Sequence, residues 1–129
     1  MKKYILFLFL VSTTSLIISQ NSDSTKPAFK FEKELINYGK IEQNAKGNRV
    51  FKFTNIGKSP LIITDIKTSC DCAVPKKPTD PIMPGEKGSI EVIYDTSNLG
   101  GFSKQITIFS NAKKNPKIIR VRGFIVKKV

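Results

Sequence analysis

Two cysteines one residue apart, Cys70 and Cys72, are the residues of this chain whose type and spacing best suit chemistry. Such a pair can form a disulfide, exchange disulfides with a substrate, hold a soft metal ion such as Cu(I), or pack as two small apolar side chains. In an extended strand their Cα atoms would lie roughly 6.5–7 Å apart, at the upper limit for a disulfide. An intramolecular bridge therefore requires a local bend.

The residue between the cysteines argues against a nucleophilic thiol. The carboxylate of Asp71 disfavours a neighbouring thiolate and would raise the pKa of both thiols. Lys67, Lys76 and Lys77 offset this effect only if the fold brings them close to the pair. The chain has no histidine, which removes the commonest general base and metal ligand.

The absence of further ligands also limits metal chemistry at the pair. A structural zinc site needs four protein ligands, so Cys70 and Cys72 would complete one only between two copies of the chain. We expect no cofactor and no resident metal, and we prefer a structural role for the cysteines, bridged or packed. Redox chemistry, metal binding and an intermolecular bridge remain the alternatives.

Positive charge is concentrated towards the end of the chain. The net charge is +12, and all ten acidic residues lie at or before Asp95. Arg120, Arg122, Lys127 and Lys128 form a predicted basic face, which would suit a polyanion or an anionic membrane surface. The alternative is that these side chains solvate the surface and protect strand edges. We prefer this alternative, because the segment lacks the aromatic and basic alternation of nucleic-acid-binding sequences.

The first residues predict export. Lys2 and Lys3 precede apolar residues that extend to Ile18 with one polar interruption, and polar residues follow. This layout is typical of a secretory signal peptide, and the apolar run is too short for a spanning helix. An uncleaved anchor is the alternative. We predict a signal peptide over 1–19, a linker over 20–27 and one domain over 28–129, located in the periplasm or at the cell surface.

Short apolar strands recur about every ten residues in the predicted domain, separated by Gly, Pro, Asn and Asp. Phe51 and Phe53 alternate with Lys52 and Thr54, which is the two-residue period of a half-buried strand. The predicted strands are 29–36 with a continuation at 38–41, 50–54, 61–68, 89–95, 105–110 and 117–126. About seven short strands with several long connections predict an all-β, immunoglobulin-like antiparallel sandwich.

Two loops are the candidate binding sites of this sandwich. Segment 70–88 is stiffened by four prolines between positions 75 and 84, which predict a loop outside the sheets. The second loop is 98–102. Sandwiches of this kind bind through end loops or by adding a strand to an open sheet edge. The candidate loop residues are Asp71, Pro75, Lys76, Lys77, Pro84, Gly85, Asn98, Gly100, Gly101 and Phe102.

Several motifs occur in a characteristic order along the chain. They are 37–41 (NYGKI), 51–63 (FKFTNIGKSPLII), 69–72 (SCDC), 82–86 (IMPGE), 90–92 (IEV), 94–96 (YDT), 101–104 (GFSK) and 110–111 (SN). In these motifs the chain resembles the bacterial domain-of-unknown-function family 1573. The resemblance implies an immunoglobulin-like domain of the Hydin and major sperm protein type, with a binding or scaffolding role and no established activity. Asp71 departs from the family, which most often has glycine there.

The sequence therefore predicts an exported, envelope-associated binding or scaffolding module rather than an enzyme. We expect its partner to be another protein or an envelope component, with no specific nucleic acid and no transmembrane segment in the mature chain. The alternative is a periplasmic thiol–disulfide or copper-handling protein that acts through Cys70 and Cys72. A third interpretation is adhesion to an anionic polymer through the basic C-terminal strands.

Overall fold

A computed structural model describes residues 25–129, which form two packed β-sheets. The eight strands of this described part are β1 Phe29–Phe31, β2 Leu35–Glu42, β3 Asn48–Asn55, β4 Ile63–Thr68, β5 Ala73–Lys76, β6 Lys87–Tyr94, β7 Gly100–Ser110 and β8 Lys117–Val126. One sheet has the order β1-β3-β6-β5, and the other has the order β2-β8-β7-β4. The predicted signal peptide, and the linker up to residue 24, lie outside the described residues.

Alternating apolar residues place the core between the two sheets. Phe51 and Phe53 of β3 are each 1% exposed, whereas Lys52 between them is exposed. In β8, Ile119 and Val121 are fully buried in the same alternating way. Burying each such side chain contributes about 1.5–3 kcal/mol, so the two-residue period fixes which face of each strand turns inward.

No helix among residues 25–129 is long and apolar enough to cross a membrane.

The predicted first strand is divided between the two sheets. β1 pairs antiparallel with β3, and β2 pairs in parallel with β8. Between them the charged and exposed residues Glu32, Lys33 and Glu34 cross from one sheet to the other. Three consecutive charged side chains cannot continue a strand that buries every second residue, so the chain changes sheet there. The parallel β2–β8 pair departs from the predicted antiparallel arrangement.

Two further predictions about strand bounds are wrong. Pro75 lies within β5, opposite Val92, although the proline-rich segment was predicted to stay outside the sheets. β5 is an edge strand, where the missing N–H of proline is tolerated. Gly100, Gly101 and Phe102 begin β7 instead of forming a loop. In contrast, the predicted bounds of β8 are confirmed.

The two ends of the sandwich differ in composition. The disulfide end holds the turn at 69–72 and the loop at 95–99, which are joined by a 2.7 Å hydrogen bond from the Asp95 N–H to the Cys72 carbonyl. The proline end holds the loop at 77–86 and the turn at 56–62. The last residues of the predicted linker lie at the proline end, where the carbonyl of the buried Pro27 accepts a 2.9 Å hydrogen bond from Lys113.

Candidate functional site

The crossing between β1 and β2 leaves half of β3 without a neighbouring strand on one side. The hydrogen bond that follows the β1–β3 pairing runs from the Glu32 N–H to the Lys52 carbonyl at 3.0 Å. Hydrogen-bonding directions alternate along an antiparallel strand, so Val50 directs its N–H and C=O to the same side as Lys52. β6 covers the opposite side of β3. Val50 therefore presents a backbone donor and acceptor that no strand among residues 25–129 covers.

A groove of about 600 Å³ lies between β2 and this uncovered half of β3. Leu35 and Val50 line it, with exposed fractions of 39% and 44%. Ile36 and Phe51 also line it and belong to the packed interior. We call the groove formed by these four residues the switch groove. The other lining residues are charged or polar, namely Glu32, Lys33, Asn37, Arg49 and Lys52. The switch groove therefore combines free backbone hydrogen-bonding groups with apolar positions, as an added β-strand requires.

The β2 side of the switch groove is a less regular template than the β3 side. A bulge interrupts the pairing of β2 with β8 between Asn37 and Lys40. Gly39 within it has φ 65°, and its N–H donates a 2.9 Å hydrogen bond to the Asn37 side chain. Bulges of this kind hinder the pairing of an edge with a further strand. The uncovered part of β3 is therefore the better template.

The opposite side of the sandwich, formed by β4 and β5, is protected. Pro75 cannot donate a backbone hydrogen bond from β5. The Lys76 ammonium pairs with Glu91 at 3.7 Å, and the Lys77 ammonium donates a 2.9 Å hydrogen bond to the Thr64 carbonyl. Proline and lysine are the residues that protect sheet edges from further pairing. The two sides of the molecule therefore differ in their capacity to accept a strand.

Cys70 and Cys72 are joined by a disulfide in the turn that leads from β4 to β5. Their Cα atoms are 5.3 Å apart, within the range that a disulfide accepts, because the turn bends the chain away from extended geometry. The Thr68 hydroxyl donates a 2.6 Å hydrogen bond to the Cys70 carbonyl. Both sheets therefore hold the turn: Thr68 belongs to β4, and the N–H of Asp95, which follows β6, donates a hydrogen bond to the Cys72 carbonyl. The disulfide therefore lies in the connection that takes the chain from β4 in one sheet to β5 in the other.

The lysines considered as activators of a thiol make other contacts. The ammonium of Lys67 lies 5.6 Å from the centroid of the Phe109 ring. Lys76 contacts Glu91 and Lys77 contacts the Thr64 carbonyl, on the side formed by β4 and β5. Asp71 is exposed in the disulfide turn. In the part of the chain that the structure describes, no group of three or more Cys, Asp or Glu residues could hold a metal ion. The structure lends no support to the redox or copper alternative.

The candidate loop residues do not come together in one site. Pro84 and Gly85 lie in a turn at the proline end, where Gly85 has φ 82°. Asn98 is exposed at the disulfide end. Phe102 packs inward, and its ring stacks on Tyr94 with centroids 3.9 Å apart. The loops therefore mark opposite ends of the molecule.

The residues of the predicted basic face occupy two places. Arg120 and Arg122 project from β8 on the outer face of its sheet, and both are exposed. Neither guanidinium has a carboxylate partner among residues 25–129. Lys127 and Lys128 follow the end of β8 and are also exposed. Only the two arginines therefore share a flat sheet surface.

Sequence reasoning missed an aromatic and cationic cluster at the disulfide end of the core. The buried Tyr38 hydroxyl donates a 2.7 Å hydrogen bond to the Gly47 carbonyl, and the Arg49 guanidinium lies 4.2 Å from the Tyr38 ring centroid. Burial raises the pKa of Tyr38 to about 12, with a smaller opposing effect of Arg49. Residues far apart in sequence make this cluster, so its only local signal was the apolar period of β2.

Two four-stranded sheets packed face to face, with a first segment that changes sheet, define an immunoglobulin-like β-sandwich domain. The chain belongs to the DUF1573 family of proteins of unknown function, whose sequence profile matches residues 29–125. The family and the fold class predicted from the sequence are thus confirmed. No curated protein matches the chain in sequence.

Solved structures share this fold at low sequence identity. A Porphyromonas gingivalis W83 protein of unknown function has a TM-score of 0.69 and 13% identity over 84% of this chain, which spans 51% of that protein. The seventh PapD-like domain of human CEP192 has a TM-score of 0.65 and 8% identity, with 83% of this chain and 89% of that chain covered. A chain of the Acinetobacter baumannii CsuC–CsuE chaperone–tip adhesion subunit complex has a TM-score of 0.53 and 17% identity, covering 75% of this chain and 56% of that chain. At these identities the likeness is one of fold.

Proposed function

We propose that this protein is an exported, envelope-associated binding module that holds an extended segment of a partner protein in the switch groove. The observation that carries the proposal is the uncovered N–H and C=O of Val50 beside the apolar side chains of Leu35, Ile36 and Phe51. A segment placed there would continue the sheet at the point where β1 leaves it. The interaction is then β-strand addition, in which main-chain hydrogen bonds provide affinity and side-chain pockets provide specificity.

The groove defines the chemistry of the partner segment. One face of an added strand would point between the sheets towards Ile36 and Phe51, and the other would lie beside Val50 on the outer surface. Apolar side chains at alternate positions would fill the inner face. The stretch of β3 from residue 48 to 51 that no strand covers is about 14 Å long, so a segment of about four to six residues would suffice. Val50 offers the free backbone groups in this stretch, since the Asn48 carbonyl already accepts a 2.8 Å hydrogen bond from the Arg49 guanidinium. The partner is therefore an extended peptide segment with apolar residues at every second position.

Three further observations support a protein-binding role on this side of the molecule. The opposite side is protected by Pro75, Lys76 and Lys77, so only one side favours strand addition. The bulge at Gly39 directs pairing towards β3 rather than β2. One structural neighbour comes from a chaperone–tip adhesion subunit pre-assembly complex, and a protein-binding role agrees with that likeness of fold.

Val50 allows a direct test of the binding mode. Its N–H points away from β6, so Val50→Pro removes the donor offered to a partner without breaking a bond to β6. Val50→Thr is the matched control, since threonine keeps the N–H and favours strands. A displayed library of random heptapeptides, selected on the wild-type protein, provides the probe. We expect selected peptides with alternating apolar residues that bind wild type and Val50→Thr but not Val50→Pro.

Hydrogen exchange adds a second measurement at the same site. A selected peptide should protect the amide of Val50 from exchange and should leave the amides of β4 unchanged. Equal binding of the peptides to Val50→Pro, or protection confined to β4 and β5, would show that the switch groove is not the binding site. Failure to select any peptide would also count against strand addition.

The export part of the proposal rests on the signal-like residues 1–19 and is tested separately. The N-terminus of the protein should be determined after expression in a bacterial host and fractionation of the cells. We expect a periplasmic protein that begins near residue 20. Cytoplasmic protein that begins at Met1 would contradict export and would leave the binding mode of the folded domain as a separate question.

A further inference from the structure

The outer face of the β2-β8-β7 sheet carries ordered rows of side chains across its three strands. In the first row Leu35 lies beside Arg120, and Arg120 lies beside Gln105. Neighbouring rows along a strand are about 7 Å apart. The next row runs from Asn37 through Arg122 to Ser103, and the row after it runs from Lys40 through Phe124 to Gly101. Two cations and an aromatic ring therefore follow one another along β8.

Phe124 is held as an exposed platform in this surface. Phe124 is 51% exposed, so about half of its surface is open to a ligand. The ring lies against Gly101 of the neighbouring strand, where an added Cβ would contact it at 3.4 Å. The ring therefore lies close to Gly101, at a distance where an added methyl group would make ordinary van der Waals contact with it. A shallow groove of about 640 Å³ surrounds it, and Arg122, Lys40, Asn37 and Ser103 line this groove.

Along β7 and β8 the charges have one sign, whereas the exposed Glu42 of β2 lies in the row beyond Lys40, opposite Val126. β7 and β8 contain no acidic residue, and neither Arg122 nor Lys40 has a carboxylate partner within the described part of the chain. Arg122 is exposed, so its planar guanidinium is free to bind a carboxylate through two hydrogen bonds. Asn37 and Ser103 flank Arg122 in the same row and add neutral hydrogen-bonding groups. The groove thus offers an aromatic face, cations and polar groups together.

We propose that this strip binds an acidic polysaccharide. The exposed face of Phe124 would pack beneath the apolar C–H face of a sugar ring, and Arg122 and Lys40 would bind carboxylates of the same or the next sugar. Asn37 and Ser103 would exchange hydrogen bonds with ring hydroxyls. We define Lys40, Arg122 and Phe124 as the sugar platform. This site lies on the outer face of the sheet, so it is separate from the switch groove and goes beyond the proposed protein-binding function.

The packing of Phe124 favours a sugar over a membrane. An aromatic side chain that enters a bilayer must project from the surface, whereas this ring lies against Gly101. A single aromatic ring among Arg120 and Arg122 also differs from the series of stacked aromatics that binds single-stranded nucleic acids. Arg120, Arg122 and Phe124 lie in successive rows of the sheet. This spacing suits a polymer in which apolar ring faces alternate with carboxylates.

The test uses polygalacturonate as the acidic polymer, with its methyl ester and dextran as uncharged controls. Affinity is measured by biolayer interferometry for wild type, Phe124→Ala and Arg122→Gln. Lys52→Gln is the matched control, because Lys52 is exposed on the outer face of the other sheet and its loss changes the net charge equally. Since Phe124 and Arg122 are exposed, both variants should keep the fold, which circular dichroism verifies.

We expect wild type to bind polygalacturonate and neither uncharged polymer, with an affinity that falls as salt is raised. Phe124→Ala and Arg122→Gln should each weaken binding at least fivefold, as truncation of a central contact above about 1 kcal/mol does. Lys52→Gln and Val50→Pro should stay within about twofold of wild type. The last result separates this site from the proposed function.

Three outcomes would overturn the proposal. The first is equal binding of dextran, which would remove the role of the cations. The second is equal weakening by Lys52→Gln and Arg122→Gln, which would reduce the effect to net charge. The third is binding to phosphatidylglycerol vesicles without binding to polygalacturonate, which would assign the strip to a membrane surface.

Discussion

The side-chain amide of Asn55 donates a 2.9 Å hydrogen bond to the carbonyl of Ile82, 27 residues further along the chain. The same amide donates to the Ser59 carbonyl at 2.8 Å, and its oxygen accepts from the N–H groups of Gly57 at 3.0 Å and Ala28 at 3.3 Å. Asn55 is fully buried. One side chain therefore joins the N-terminal segment, the turn after β3 and the proline-rich loop.

Replacing Asn55 with alanine should destabilise the protein by about 2–4 kcal/mol, because it removes four hydrogen bonds of a fully buried side chain and takes the Asn55 partner from the Ala28 N–H, the Gly57 N–H and the Ser59 carbonyl. Urea denaturation measures this change in the free energy of unfolding. Asn111→Ala is the control, since the exposed Asn111 side chain also makes two backbone hydrogen bonds, to Ile62 at 2.8 Å and Pro60 at 3.0 Å. We expect its effect to stay near 1 kcal/mol. If the two variants lower the free energy of unfolding equally, burial of the Asn55 hydrogen bonds adds nothing to stability.

Features set by local alternation were predictable from the sequence. The period of β3 identified Phe51 and Phe53 as inward residues, and the bounds of β8 needed only its own pattern of isoleucine, valine and arginine. Such patterns depend on which face of a strand is buried, and each residue reports that face directly. The predicted family and sandwich followed from the same local motifs.

Features that depend on distant partners were not predictable. Glu32, Lys33 and Glu34 interrupt the alternation of residues 29–41, but the sequence does not show which strand the chain joins afterwards, because that depends on pairing with β8 near the C-terminus. Asn55 beside Gly57 has the local signature of a turn, and its burial follows only from the position of Ile82. The surroundings of Phe124 likewise depend on its pairing with Gly101 of β7.

Gly123→Ala should destabilise the protein by about 1–3 kcal/mol, as overpacking of a core does. A Cβ at this position would lie 2.7 Å from the Cβ of Tyr38 and 2.8 Å from the Phe102 ring. Gly101→Ala is the matched control on the outer face, where the nearest atom belongs to the exposed Phe124 ring at 3.4 Å. Its change should remain within about 0.5 kcal/mol. Thermal unfolding that ranks the two variants in the reverse order would contradict the inward position of Gly123.

The disulfide should make a modest contribution to stability. A loop this short restricts the unfolded chain little, so replacing both Cys70 and Cys72 with serine should lower the free energy of unfolding by about 1.5 kcal/mol. A reductant should lower the stability of wild type and leave the double variant unchanged. In denaturant without reductant, wild type should show no free thiol. Detection of two reactive thiols would contradict the bridge.

Tyr38 should make the protein sensitive to alkaline pH. Its pKa rises from an ordinary value of 10.0 to about 12, mainly through burial, so the folded protein keeps a proton that the unfolded chain releases above about pH 10. Because the folded state then binds more protons, stability must fall as pH rises. The contribution is fully present below pH 10 and is lost as the pH approaches 12.

Tyr38→Phe separates this titration from general alkaline unfolding. The variant loses the hydrogen bond to the Gly47 carbonyl and should be less stable than wild type at neutral pH. It should also show a shallower loss of stability between about pH 10 and 12, since phenylalanine has no proton to release. Tyr94→Phe, which leaves Tyr38 in place, should retain the Tyr38 share of the decline. Parallel stability–pH profiles for wild type and Tyr38→Phe would show that another group governs the alkaline transition.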